Sequence, residues 1–333
     1  MPPEVKVAVQ ESERGLICAF DLATAARLGE EALADETDGP TRPAPRWLHF
    51  NMADTRALHF IDRDPHLPAD AREVLLSGTW RAQGRVIDGG LMLVLADLHH
   101  DLRGESDEVG LFAVYLDKDV MVSGRRHPLK SPDRLRRKQN QLTQASTTSD
   151  LLVDLLEFVT DSFAELIANL SEQVDDAEDQ LLVGHLHQQG TRLARMRRLL
   201  ARLRRHARSN RSALAAILPR LPGWMEPDHR QHLHEAAERM EALAQDMELV
   251  QERTRLLQEE IAARVNEATN RNLFFLSVIT ATMLPVTLIT GVFGMNVGGL
   301  PWLSDPNGFH WVAAIMVLAV LAALLLLRRR RIF

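Results

Sequence analysis

Between Arg271 and Arg328 the chain carries almost no charge, and this stretch limits the possible folds more than any other feature. It holds two apolar runs, 273–293 and 309–327. Each reaches the ~20 residues that a helix needs to cross a hydrocarbon core. Either run alone could be the buried core helix of a soluble protein. Two in tandem, the second ending in Arg328, Arg329, Arg330 and Arg331, favour a pair of membrane spans. Basic residues stay on the cytoplasmic side, and Arg264 and Arg271 flank the first run on the same side as that cluster. Both termini are therefore expected in the cytoplasm of a bacterial cell, with 294–308 as a short external loop whose only charge is Asp305.

The remainder reads as soluble. Mean hydropathy is only −0.14, so the apolar excess is local. A net charge of −6 and a pI near 6.1 argue against a nucleic-acid binder. Cys18 is the single cysteine, which excludes an intrachain disulfide and a thiolate metal cluster. The N-terminus lacks a basic segment followed by an apolar core, so no signal peptide is expected.

Six segments follow: an α/β domain over 1–148, a helical hairpin over 149–227, and a long stalk helix over 228–293 that runs into the first span. The external loop spans 294–308, the second span 309–327 and a basic tail 328–333. In the first segment, 16–20, 47–50, 91–98, 110–116 and 119–123 read as strands, the last after an Asp-Lys turn. Residues 24–34 and 70–76 read as helices, and the Pro-rich 39–45 as a loop. In the hairpin, Ser149-Asp150 is the expected cap of a helix ending near Gly184, and a second helix is expected from Thr191. Pro219, Pro222, Gly223 and Pro227 then break the chain. Met240, Leu243, Met247, Val250, Thr254, Leu257 and Ile261 recur at alternating steps of three and four, a coiled-coil-like seam. A stalk of this length would extend roughly 95 Å.

Stepping by three and four along the first span gives Asn266, Asn270, Leu273, Ser277, Thr280, Leu284, Thr287, Gly291 and Gly294. Phe274, Phe275, Ile279, Val286 and Ile289 fall off this line and suit lipid or helix packing. A hydroxyl in hydrocarbon needs a partner, so the row is either a helix contact or the lining of a wet path. Leu273 and Leu284 suit a lining in which hydrated rings alternate with apolar constrictions. Pro285 removes one backbone hydrogen bond and can bend the helix. Two spans cannot enclose a path by themselves, so transport would require several copies about one axis. The stalk seam is a second reason to expect association.

The first span ends in Gly294-Met295-Asn296, followed by Val-Gly-Gly-Leu-Pro301. With the preceding MLPVTLITGVF segment, the stalk, the two-span ending and the basic tail, this resembles the CorA-type metal ion transporter family. The continuation after Asn296 is similar to the zinc-transporter (ZntB-type) branch. The magnesium branch typically carries an acidic residue soon after the signature, whereas here Asp305 is the nearest. The resemblance implies an α+β cytoplasmic domain, long stalk helices and an all-α membrane part, assembled as a homopentameric funnel. It implies Gly294, Met295 and Asn296 as the selectivity loop, with Gly294 permitting a tight turn and Asn296 meeting a hydrated cation. Asn270, Leu273, Ser277, Thr280, Leu284, Thr287 and Gly291 would line the pore. Zn2+ would be the transported ion, with no resident cofactor, and Asp305 and His310 are further candidates near the outer mouth. A magnesium or cobalt channel of the sister branch and a non-transporting membrane-anchored scaffold are the rival readings.

Thirteen histidines invite a zinc reading. The clusters are His185/His187, His99/His100 beside Asp101, and His229/His232/His234. Histidines two apart on a helix point to different faces, so these are read as structural. The basic run Arg192–Arg211 follows the acidic Glu172, Asp175, Asp176, Glu178 and Asp179, which suggests pairing between the two helices or between copies. No aromatic residue interleaves these arginines, which weakens nucleic-acid binding. No phosphate loop, nucleophile elbow or catalytic carboxylate pair is present, so no enzyme activity is expected.

Overall fold

A computed structural model of the chain describes residues 15–29, 45–100, 108–182, 186–295, 299–302 and 305–329. They form two compact units, Met1–Leu257 and Gln258–Phe333. Each is described by itself.

The first unit is built on a six-stranded sheet: β1 (Leu16–Asp21), β2 (Arg46–Asn51), β3 (Gln83–Ile87), β4 (Gly90–Leu98), β5 (Val109–Leu116) and β6 (Val120–Arg125). Their order is β1-β2-β6-β5-β4-β3. Only β2 and β6 run parallel. The helices are α1 (Thr55–Arg63), α2 (Ala69–Leu76), α3 (Lys130–Gln139), α4 (Thr148–Leu182) and α5 (Leu186–Ile217), then α6 (Pro227–Gly294), which begins in this unit. One sheet face, with Leu48, Phe50, Met92, Val94, Tyr115 and Val122, packs on Ala57, Ile61, Ala71 and Leu75 of α1 and α2. The other carries α5 against β3 and β4, with α3 and α4 beside them. Covered on both faces, β4 is buried throughout, which explains its unbroken apolar run Leu91–Leu95.

β3 escapes sequence patterning because only Ile87 of its five residues is fully buried. α5 crosses it so closely that a Cβ on Gly84 would lie 2.0 Å from Ala213 O. Beyond β3, the edge of β4 is open at Ala96, and Asn210 of α5 fills it. Ala96 N donates to Asn210 Oδ1 at 2.7 Å, and Asn210 Nδ2 donates to Ala96 O at 2.8 Å. The amide thus replaces a strand. Asn210→Ala leaves both buried backbone groups unpaired and is expected to destabilise the protein by about 2–5 kcal/mol, read by chemical denaturation.

Residues 24–29 do not form the helix their composition suggests. The Asp21 carboxylate accepts from Ala23 N and Thr24 N, Ala25 takes φ 56°, and Phe20 bridges Arg27. This local turn chemistry overrides helix propensity. The hairpin after β5 is as expected, with Asp117 Oδ1 accepting from Asp119 N and Val120 N. α4 starts one residue before the expected Ser149-Asp150 cap. Thr147 Oγ1 accepts from Asp150 N while the Asp150 carboxylate accepts from Thr147 N, a reciprocal capping pair. α5 begins at Leu186, earlier than Thr191. Gly184, residues 39–44, Asp101 and His185 lie outside the described residues.

The α6 seam is spent inside one chain. Met240, Leu243, Met247, Val250, Thr254 and Leu257 are all buried in this first unit. The seam therefore gives no independent reason for association between copies, contrary to the expectation. Several of the charges expected to pair between the two helices or between copies reach α6. The α4 carboxylates Asp175 and Glu178 take Arg253 of α6, and Asp161 takes Arg239. The α5 arginines Arg204 and Arg208 reach Glu248, and Arg211 reaches Glu241, both on α6. α6, carrying both signs, is the shared partner of the two helices.

Asp97 is buried at the end of β4, where it accepts from Ser131 N and Ser131 Oγ at the start of α3. Burial pushes its carboxyl up to about 6, only partly offset by those bonds. The folded state thus holds the proton more tightly than the unfolded chain. The associated stability is full below the ordinary carboxylate range and is lost as pH rises through about 6. Relative to Asp97→Asn, the native chain should gain on the order of 3 kcal/mol between pH 7 and pH 4. Melting temperatures of the two across that range check the sign.

Candidate functional site

The second unit contains the C-terminal part of α6, a loop and α7 (Gly308–Arg329). Both helices are long and apolar enough to cross a membrane, and almost none of either apolar window is buried within the chain. In a soluble protein such surface would be hidden, so the exposure itself excludes the core-helix reading.

α7 covers one side of the first span. Phe274, Val278, Ala281, Pro285, Val286, Ile289, Val292 and Phe293 are at least half covered, and Thr282 is buried. Val286 lies with Met316, Val317, Val320 and Leu321 of α7 around a shared apolar hollow. Asn270, Leu273, Ser277, Thr280, Leu284, Thr287 and Gly291 are all exposed. At about 100° per residue their mean direction lies roughly 140° around the helix from the α7-packed side. Of the two readings of this row, a contact with the chain's own second span is therefore removed. In the single chain the row is left exposed.

The hydroxyls in the row are prepared for a particular role. Ser277 Oγ donates to Leu273 O at 2.8 Å, Thr280 Oγ1 to Leu276 O at 2.8 Å and Thr287 Oγ1 to Met283 O at 2.9 Å. Each hydrogen is thus given to the helix backbone, leaving oxygen lone pairs as the outward-facing polarity. Such a surface attracts cations or water rather than anions. Pro285 lies within α6 and has no N–H to give the Ala281 carbonyl. Thr290, also exposed, continues the polar surface through a bond to Thr287 O. Strict three-and-four stepping passes over it, and only an inventory of all hydroxyls in the span would have found it.

Gly294 is the last residue of α6 and Met295 follows it, exposed. Asn296 lies outside the described residues. Gly294 itself stays helical, and residues 297–298, into which the expected turn would continue, also lie outside the described residues. Left-handed backbone instead falls at Gly299 (φ 101°) and Trp302 (φ 61°), while the space beside Gly294 is open. Gly308 is the glycine that the loop's packing demands, since a Cβ there would meet Trp302 O at 2.4 Å. The exposed Asp305 accepts from Asn307 N at 2.9 Å, which shapes the turn into α7. His310 is exposed and meets the Phe309 ring edge-on.

Among the described residues, no three His, Cys, Asp or Glu side chains come together as a metal cluster. Several of the described histidines have protein partners: His99 stacks on His127, His229 Nε2 meets Asp150 Oδ1 at 2.8 Å, and His234 Nδ1 meets Arg230 O at 2.8 Å.

The chain matches the family model described as CorA-like Mg2+ transporter protein over residues 44–329. It belongs to that family. It is also 27% identical over 281 residues to the zinc transport protein ZntB of Yersinia enterocolitica, covering 84% of this chain and 86% of the relative. The solved structure of the full-length CmaX protein superposes with a TM-score of 0.81 at 25% identity, covering 97% of this chain and 99% of that one. The CorA magnesium transporter from Methanocaldococcus jannaschii superposes with a TM-score of 0.76 over 94% of this chain and 97% of that one, at 17% identity. As a CorA-like protein the chain is a transporter and not an enzyme. The α/β sheet domain, long helix and paired C-terminal apolar helices of this fold are those its sequence led one to expect.

Proposed function

We propose that this CorA-like protein carries zinc into a bacterial cell across the inner membrane, through a passage on the axis of a homopentamer. The observation that carries the reading is the row of outward oxygen lone pairs on the side of the first span turned away from α7. A single copy leaves that row facing hydrocarbon, whereas a ring of copies turns it into a wet lining. Leu249 and Leu256, exposed seven residues apart on α6, add apolar surface for contact between copies. Both termini lie in the cytoplasm, as the arginine tail favours. Gly294, Met295 and Asn296 ring the outer mouth, with Asp305 and His310 close in sequence.

Zinc is favoured over magnesium by the name of the Yersinia relative and by the neutral stretch after Asn296. Neutral oxygens suit an ion that keeps most of its water, because stripping a divalent cation requires charge or close ligands. The membrane potential supplies ~4.6 kcal/mol per 100 mV to a divalent cation moving inward. Neither span contains a carboxylate to carry a coupled proton. A magnesium channel is the second reading, favoured by the family description and by the archaeal neighbour.

Flux into liposomes separates the two. Zinc uptake should exceed magnesium uptake at every imposed pH gradient, and the pH series reports any proton coupling. Magnesium moving faster than zinc would transfer the protein to the second reading, and no flux of either would leave only a membrane-anchored scaffold.

A further inference from the structure

Three polar side chains stand in one row across the sheet. Cys18 on β1 pairs in register with His49 on β2, and His49 pairs with Ser123 on β6. Their neighbours Ala19, Leu48, Phe50 and Val122 face α1 and α2, so strand alternation turns the row toward α3. All three are buried. The same face holds the Arg125–Asp133 pair that fastens α3 to β6.

His49 has an incomplete set of partners. Its Nδ1 lies 2.8 Å from Ser123 Oγ, which also accepts from Trp47 Nε1 at 2.8 Å. Its Nε2 is buried without a hydrogen-bond partner. A proton added to the ring forces Nδ1–H to donate to Ser123 Oγ, so that oxygen then accepts twice. The serine hydrogen turns to Leu48 O, a long 3.4 Å away, and the Nε2–H has no acceptor.

The surrounding charges oppose the same proton. Arg125 of β6 and Arg136 of α3 are cations beside the ring, and Arg27 adds another near Cys18. The Asp133 carboxylate of α3 is already shared by Arg125 and Arg136. On α4, Glu165 and Asp154 are engaged by Arg134 and Lys138. Burial pushes the Cys18 thiol up to about 12, so it supplies no negative charge. Burial first, then Arg125 and Arg136, hold the His49 imidazole well below its ordinary range. The ring therefore gains a proton only where water reaches it.

β2 is bonded to a strand on each side, so the helix layer is the cover that can lift while the sheet stays intact. We propose that α3 is an acid-released clasp, which a proton on His49 frees from the sheet. α3 also holds α4 through Arg134–Glu165 and Lys138–Asp154, so its release loosens the mooring of α4. Stability of the clasp is full above the ordinary imidazole range and is lost as pH falls through it, the reverse of Asp97. The device is independent of the ion carried.

The test is hydrogen exchange of the full-length protein in detergent, read as protection factors on peptides of α3 and α1. His49→Asn keeps an amide for Ser123 and cannot take up a proton. Between pH 7.5 and pH 5.5, opening of α3 in the native protein should rise about tenfold relative to opening in His49→Asn. Asp97 is common to both and cancels in that ratio. His49→Gln, a second uncharged replacement, should give the same ratio, and α1 should change by less than about twofold. Asp97→Asn retains His49 and lacks the opposing carboxyl. There α3 alone should open about tenfold more on the same acidification, which tests the clasp without altering His49. Equal rises in α3 and α1 would mean that the proton enters by global unfolding, and a flat response of α3 would mean that His49 does not govern it. Either result overturns the clasp.

Discussion

Replacing Asn296 with Ala should reduce divalent-cation flux into liposomes by about a hundredfold or more, without changing the number of copies in the assembly. The expectation rests on what an amide offers a hydrated ion. Its oxygen accepts from first-shell water and its NH2 group donates to neighbouring oxygens, so one side chain both holds and orients the shell. A hydrogen bond to a charged species contributes about 1.5–3 kcal/mol. Losing two or more of these at once, as symmetry dictates, amounts to two or more powers of ten in capture. The controls are size-exclusion mass of the variant and flux of the native protein at the same density. Flux within threefold of native in a correctly assembled variant would remove Asn296 from the ion path, and the zinc reading would then rest on the span alone.

Asp133→Leu should destabilise the protein by about 3–5 kcal/mol. Arg125 on β6 grips the Asp133 carboxylate through two bonds, Nη1 to Oδ2 at 2.9 Å and Nη2 to Oδ1 at 3.0 Å. Both side chains are buried, and the pair ties the sheet to α3. Removing the carboxylate leaves a cation that cannot lose its proton, with Leu129 O its one remaining partner among the described residues, 3.2 Å from Nη1. Arg125→Met should be milder, because Arg136 also reaches Asp133, at 3.3 Å. The double variant should recover much of the loss, since two apolar side chains need no compensation. Denaturant midpoints followed by tryptophan fluorescence give all three values. A double variant no more stable than Asp133→Leu would mean that packing, not uncompensated charge, dominates there.

Much of the architecture was legible because its signals are local. Five of the six strands stand out as short β-rich runs, and the second span ends where a row of arginines makes hydrocarbon impossible. The polar row also appears at its spacing without any structure. β3 did not, because its backbone is protected by α5 rather than by apolar side chains of its own. The helix expected from Thr24 failed because one Asp side chain reorganised the turn.

Sequence by itself determined that two spans close the chain, that the first bears hydroxyls and small residues on one side, and that the Gly-Met-Asn signature follows it. These are properties of composition along the chain, where solvent is the only partner required. Tertiary structure decided which face α7 covers, where each hydroxyl hydrogen goes, and that the α6 seam is satisfied inside one copy. It also decided that Arg204, Arg208 and Arg211 of α5 reach carboxylates of α6. Those outcomes depend on which distant groups come within a few ångströms, and electrostatic and packing energies at that range leave no periodic trace in the sequence.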